Sequence, residues 1–321
     1  MHRAATYVLL CFSLLSAVSC GGRKGNKSAL PAVRDFPSVA VPSAITDADE
    51  RAAYLTDRFW DAFLDTARVY PSAEGRLNGV PEDDLEQQVG NYSFLLQMVP
   101  LSSARASVVS LYEKMEAFQR KDPSAPVFSL LSGLLERYFY DPNSPVRNED
   151  IFQALAARLA ECPSLSEEQR ARYATVAVTA ALNAVGTKAA DFRFTDLGGK
   201  RRTLYGIRAD ELLLIFGNPD CTACRELMED LSADPGLADR LRRGTLKVAD
   251  IYIDEDVEAW KAKAAAYPAD WINGYDAEGR IRGDLLYHVR AIPSLYLLDK
   301  DKTVIFKDAP KEKVFTYLVN Q

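Results

Sequence analysis

Metal-binding residues are scarce in this sequence. It holds five cysteines and two histidines in 321 residues, and His288 is the only histidine after position 2. Cys11 and Cys20 belong to the N-terminal segment, which leaves Cys162, Cys221 and Cys224 for the folded chain. A structural zinc site takes four ligands at short spacings. Three thiols exclude a four-cysteine site, and a Cys3His set would have to be gathered from scattered positions. No metal site is predicted, and no cofactor is implied. A basic excess is also absent: 39 Lys and Arg stand against 45 Asp and Glu, a net charge of -6. That gives no ground for nucleic-acid binding, which is normally marked by a basic face. Long apolar runs are missing too, since the run YVLLCFSLLSAV after Arg3 is shorter than the roughly 20 residues of a membrane helix. What is present is 48% hydrophobic content, ample for two cores, and a length that fits two domains.

The N-terminal run has the size of a signal-peptide core. It closes in LSAVSC before Gly21 and Gly22. This stretch resembles the lipobox of bacterial lipoproteins, with Ala17 where that family more often carries Leu. The resemblance implies that residues 1–19 are a lipoprotein signal peptide and that Cys20 is lipidated and becomes the first residue of the mature chain. A plain signal peptide with an incidental Cys20 is the other reading. Residues 20–45, rich in Gly, Pro, Ser and Lys, read as a flexible tether. At about 5–6 Å × √n, its length gives a mean reach of about 25–30 Å. Acyl chains contribute roughly 0.8 kcal/mol per buried CH2, so two or more hold a protein firmly at a bilayer. The expected location is the bacterial cell envelope, lipid-anchored. The lack of acidic residues directly after Cys20 points to the periplasmic side.

Residues 46–186 read as an all-α domain. DADERAAYLTDRFWDAFLDTARV sets Tyr54, Trp60, Phe63 and Leu64 near helical spacing, with Asp47 as N-cap. SFLLQMVPLSSARASVVSLYEKMEAFQR continues the pattern with a break at Pro100. VFSLLSGLLERYFY reads as a buried helix, NEDIFQALAARLAEC as one capped by Asn148, and SEEQRARYATVAVTAALNAVG as one ending at Gly186. Nothing in this half resembles a catalytic cluster. Cys162 reads as a small core residue.

Residues 187–321 change period. DFRFTD and RRTLYGI alternate as strands around Gly198–Gly199. ELLLIFG has the length of a central strand, and a helix follows with Leu227, Met228 and Leu231 on one side. TLKVADIYID is a second core strand, followed by a helix over about 256–266. SLYLLD and TVIFKD form a hairpin turning at Lys300–Lys302, and KEKVFTYLVN closes as a helix. This order is that of an α/β domain. The pair Cys221–Cys224 leaves a strand and opens a helix, whose free N–H groups and dipole favour a thiolate on the first cysteine. Cys221 is therefore the expected attacking thiol and Cys224, one turn on, the resolving one.

The stretch from DLGGKRRTLYG through FGNPDCTACRELMEDL to YHVRAIPSLYLLDKDKTVI resembles the thioredoxin-like domain of envelope thiol–disulfide oxidoreductases. Together with YFYDPNSPVRNEDIF, it is similar to lipoproteins in which a helical domain of unknown function precedes such a domain. The resemblance implies a thioredoxin-like C-terminal domain with a cis-proline facing the dithiol, here Ile292-Pro293, Ile292 offering its backbone to the substrate. It implies a protein or small-molecule disulfide as substrate and, for a reductase, an electron donor at the membrane. The chain departs from the family in three ways. Asp220 replaces the usual Trp before the first cysteine, with Arg225 set to offset its charge. Thr222-Ala223 stands between the cysteines. Ile215 occupies the place where many relatives carry an acid or amide, so that proton acceptor is missing. Two alternatives to an enzyme follow from the residues: a redox-inactive binding module of the same shape, or a structural lipoprotein. His288 reads as half-buried beside a strand, Trp271 and Tyr275 as core or rim, and Ser294 as loop.

Overall fold

The computed structural model describes residues 33–67, 70, 73–263 and 267–320. The expected signal peptide, Cys20 and the first part of the expected 20–45 tether lie outside them, as do residues 264–266; within the rest of that segment Arg34 donates to Asn78 O and Phe36 packs against the helical core. Among the described residues no helix is long and apolar enough to cross a membrane.

The first half is helical. α1 (Ala48–Arg58) starts where the Asp47 carboxylate accepts from the Asp49 and Glu50 amides, the usual N-cap arrangement. A two-stranded ribbon follows, β1 (Arg76–Leu77) and β2 (Val80–Pro81), then α2 (Glu82–Gln97) and α3 (Leu101–Lys121), which starts after Pro100. α4 (Val127–Phe139), α5 (Glu149–Leu159, capped by Asn148) and α6 (Glu167–Thr179) complete it. Their apolar stripes close one core, in which Cys162 is fully buried.

Three details differ from the periodicity. α1 stops at Arg58, so Trp60, Phe63 and Leu64 reach the core from turns beyond it. Neighbours on a helix point about 100° apart, and a straight helix would spread Phe59 and Trp60 over two faces. Leaving the helix gathers Phe59, Trp60 and Phe63 around Phe36, with ring centres 5.0–5.5 Å away. The Asn78-Gly79 turn of the ribbon, both residues at positive φ, carries a hairpin signal that the helical reading passed over. α6 ends at Thr179 and not at Gly186. Between them the chain turns towards the sheet through Asn183, whose amide donates to Leu286 O at 2.8 Å and accepts from the Ala190 N–H at 2.7 Å.

The linking segment then pairs with the sheet. The Gly186 N–H donates to Val304 O (2.8 Å), the Val304 N–H to Thr187 O (2.9 Å), and the Ala189 N–H to Lys302 O (2.9 Å).

The second half is built from β3 (Arg193–Asp196), β4 (Arg201–Thr203), β5 (Glu211–Phe216), α7 (Thr222–Ala233), α8 (Pro235–Arg243), β6 (Leu246–Tyr252), α9 (Val257–Lys263), β7 (Ile272–Tyr275), α10 (Arg280–Gly283), β8 (Ser294–Asp299), β9 (Val304–Phe306) and α11 (Lys311–Val319). The strands form one sheet in the order β4-β3-β7-β6-β5-β8-β9. β5, β6 and β7 are parallel, while β8, β9, β3 and β4 run antiparallel to their neighbours. Side chains along β5 alternate between faces. Leu212, Leu214 and Phe216 join one core with Tyr287 and Tyr296, while Leu213 and Ile215 join the other with Leu227 and Leu231 of α7. α8 and β7 lie where no element was expected. α8 begins at the Asp234 cap followed by Pro235, and β7 is four residues long, too short for its period to be legible.

Candidate active site

β5 is buried on both faces and delivers its end, through Gly217 to Asp220, directly to α7. Asn218 shapes this turn. Its carbonyl accepts from the Cys221 N–H (3.0 Å), its side-chain oxygen from the Asp220 N–H (2.8 Å), and its amide donates to Asp254 (2.8 Å). Cys221 becomes the N-cap of α7, with its Sγ accepting from the Cys224 N–H at 3.3 Å. A helix start is where the backbone receives negative charge best. Both cysteines are free thiols; Cys221 is partly exposed and Cys224 is buried.

Opposite them the Ile292-Pro293 peptide bond is cis. The Ile292 carbonyl lies 3.7 Å from Cys221 Sγ and accepts from its thiol. The loop carrying Ile292 thus meets the end of β5 at the expected pair of sulfurs. Pro293 directly precedes Ser294, the residue that pairs with Phe216 where β8 meets β5.

Burial pushes the Cys224 thiol far above its ordinary range, and its hydrogen bond with Cys221 adds to the rise. A thiol in that state would need a base before it could act as a nucleophile. Ile215 cannot serve, but across the β5–β6 register it stands directly beside Asp250. Asp250 shares its face of β6 with Val248 two residues earlier, the face covered by α7. It is 6% exposed, its Oδ1 has no partner among the described residues, and burial pushes its carboxyl up to about 7. Gly217 makes room for it: a Cβ there would lie 3.0 Å from both carboxylate oxygens. Family resemblance points only to the strand before the dithiol, and this acid comes from the next strand. The signal was an aspartate embedded in the otherwise apolar strand LKVADIY.

Other residues land elsewhere. Asp220 is paired with Lys263, not with Arg225, which instead donates to Pro219 O (3.3 Å) and Thr222 Oγ1 (3.1 Å). Ser294 is more than a loop residue, since its hydroxyl donates to Asp308 Oδ1 at 2.8 Å. His288 is half-buried, burial lowers its pKa, and it feels Glu149, Arg290 and Lys307. Trp271 is buried and Tyr275 lies against Trp260. No group of three or more His, Cys, Asp or Glu among the described residues is arranged to hold a metal ion.

A family described as a domain of unknown function, DUF5106, matches residues 19–183. A crystal structure of a thioredoxin-like protein from Bacteroides caccae is 32% identical, superimposes with a TM-score of 0.77, and covers 90% of this chain and 100% of its own. The chain belongs to the DUF5106 family. Its C-terminal domain is thioredoxin-like, and a helical domain precedes it. Two further structures from Bacteroides fragilis are similar to part of this family member. The C-terminal domain of an uncharacterized protein is 46% identical over 42% of this chain and 97% of that one, with a TM-score of 0.41. A conserved protein of unknown function is 38% identical over 42% and 98%, also with a TM-score of 0.41. No curated protein matches the chain.

Proposed function

We propose that this DUF5106 protein is a thiol–disulfide oxidoreductase that reduces or isomerises disulfides of envelope proteins. The observation carrying this reading is the placement of Cys221 Sγ at the open start of α7, 3.7 Å from the Ile292 carbonyl. A chain laid against Ile292 brings its disulfide to that sulfur.

In the reducing direction the Cys221 thiolate attacks one sulfur of the substrate disulfide. The S–S bond breaks, and the departing thiolate takes up a proton from solvent. The substrate is now joined to Cys221 by a mixed disulfide. Cys224 then loses its proton towards the Asp250 carboxylate and attacks Cys221 Sγ, releasing the second substrate sulfur as a thiol. Two electrons pass to the substrate, and the protein is left with a Cys221–Cys224 disulfide. A reductase cycle returns those electrons from a thiol donor at the membrane. In isomerisation a substrate thiol attacks the mixed disulfide instead, and no net electrons move. Lipid attachment at Cys20 on the periplasmic side, with the tether beyond it, would keep the domain within reach of envelope substrates.

The test is trapping. Cys224→Ser stops the second step, so substrate proteins are expected to accumulate on Cys221 as adducts that disappear under reducing conditions. No adducts, together with no exchange between the purified dithiol and a small disulfide, would replace the enzyme reading with that of a redox-inactive binding module.

A further inference from the structure

The loop that carries Ile292 does not belong to the thioredoxin-like domain alone. Arg290, two residues before Ile292, places Nε 2.5 Å from Glu149 Oε1 and Nη2 3.0 Å from Asp308 Oδ2. Its Nη1 donates to the Tyr140 carbonyl, and its guanidinium lies 4.0 Å over the Tyr140 ring. Ser294, directly after Pro293, donates to the other oxygen of Asp308. One carboxylate therefore grips the chain on both sides of Ile292-Pro293. Glu149 Oε2 lies 3.1 Å from Lys307 Nζ, which donates to Ala180 O at 2.6 Å. Arg147 donates to Asp308 O (2.8 Å) and Ala309 O (2.9 Å). Tyr140, Arg147, Glu149 and Ala180 come from the helical half; Arg290, Lys307 and Asp308 come from the other. The side chains of Arg290, Asp308, Glu149 and Lys307 are 10%, 8%, 2% and 1% exposed.

A buried ion-pair network is often no more stabilising than well-packed apolar residues of similar volume. Apolar residues would thus join two domains equally well. What charges add is direction: a guanidinium held by two carboxylates and a carbonyl has one position, and the chain two residues on inherits it. We infer that the helical domain is a working part of the dithiol site. Glu149, acting through Arg290, fixes the Ile292 backbone at the distance from Cys221 that a substrate chain needs. Glu149, Arg290 and Asp308 are positioning residues. The inference rests on the proposed function and gives the helical domain a role within it.

The full chain is tested with insulin as a protein disulfide and oxidised glutathione as a small one. Glu149→Gln keeps the shape and removes the charge; Arg290→Lys keeps the charge and removes the fork. Misplacing a substrate-positioning group costs up to about 100-fold. For both variants we expect KM for insulin to rise about tenfold on the same grounds, with kcat and glutathione turnover within about twofold. Arg172→Gln, which breaks an exposed ion pair to Glu136 inside the helical half, is the control that leaves KM in place. Hydrogen exchange of the amides from Val289 to Ser294 gives a second readout that needs no substrate. Faster exchange there in Glu149→Gln, by about tenfold or more, is expected for a loop that loses its anchor. A lowered melting temperature with unchanged insulin KM and unchanged loop exchange would overturn the inference. Should the wild type reduce neither disulfide, the proposed function fails on its own, and the loop exchange still decides whether Glu149 holds the loop.

Discussion

The starts of α5 and α7 both reach the Ile292-Pro293 loop, and they use the same backbone groups for opposite ends. At α5, Asn148 caps the helix through the Ile151 N–H, and Glu149 and Asp150 follow in the first turn, both buried. At α7 a sulfur is the cap, the first turn holds no acidic residue, and the capping residue is partly exposed. A helix start favours negative charge. In α5 a fixed carboxylate takes that place and is sealed against Arg290 and Lys307. In α7 that place holds the sulfur of a partly exposed cysteine. The lesson is that access, not backbone geometry, separates an anchor from the proposed reactive centre.

The sharpest way to break this comparison is to remove the sulfur at α7. Cys221→Ser should lower disulfide exchange by about 1,000-fold or more, measured as insulin reduction, while leaving the melting temperature near that of wild type. Removing the anchor at α5 should lower stability as well as raise KM for insulin. Glu149→Ala leaves Arg290 and Lys307 short of their buried partner and should cost about 3–5 kcal/mol in urea unfolding. Arg137→Ala, which removes an exposed pair with Glu86, should cost less than about 1 kcal/mol.

Asp250 sharpens the comparison through pH. Its carboxyl is held up to about 7 by burial, against about 3.9 in an unfolded chain. The folded state therefore binds the extra proton. The stability this group contributes is complete below about pH 4 and is lost as pH rises through about 7. Between pH 5 and pH 8 the loss amounts to about 2–3 kcal/mol. Asp250→Asn should remove that slope in unfolding experiments and slow the resolution of mixed disulfides by Cys224. A wild-type profile flat from pH 5 to pH 8 would refute the assignment. A smaller effect is expected at the α5 cap, where Asn148→Ala should cost about 1 kcal/mol.

Periodicity made much of this molecule legible. Helices with long apolar stripes, such as α3 and α4, and strands with continuous apolar runs, such as β5 and β6, follow from spacing alone. The dithiol was legible because it is local in sequence, and Ile292-Pro293 only through the family resemblance. Elements fixed by tertiary contact were not. β7 is four residues whose place depends on β3 and β6, and α1 yields to an aromatic cluster around Phe36. The same limit hid the polar part of the site. Asp250 matters through its register with Ile215 on the next strand, and Glu149 matters because it meets Arg290 across 141 residues of chain. Neither relation has a short-range pattern.

The segment from Gly186 to Ala189 does more than connect. By bonding to Lys302 and Val304 it occupies the outer rim of β9, which would otherwise offer unpaired amides and carbonyls to any passing strand. A fragment cut just after Ala189 would bare that rim and should self-associate along it, whereas one cut before Gly186 keeps its own guard against fibre-like stacking.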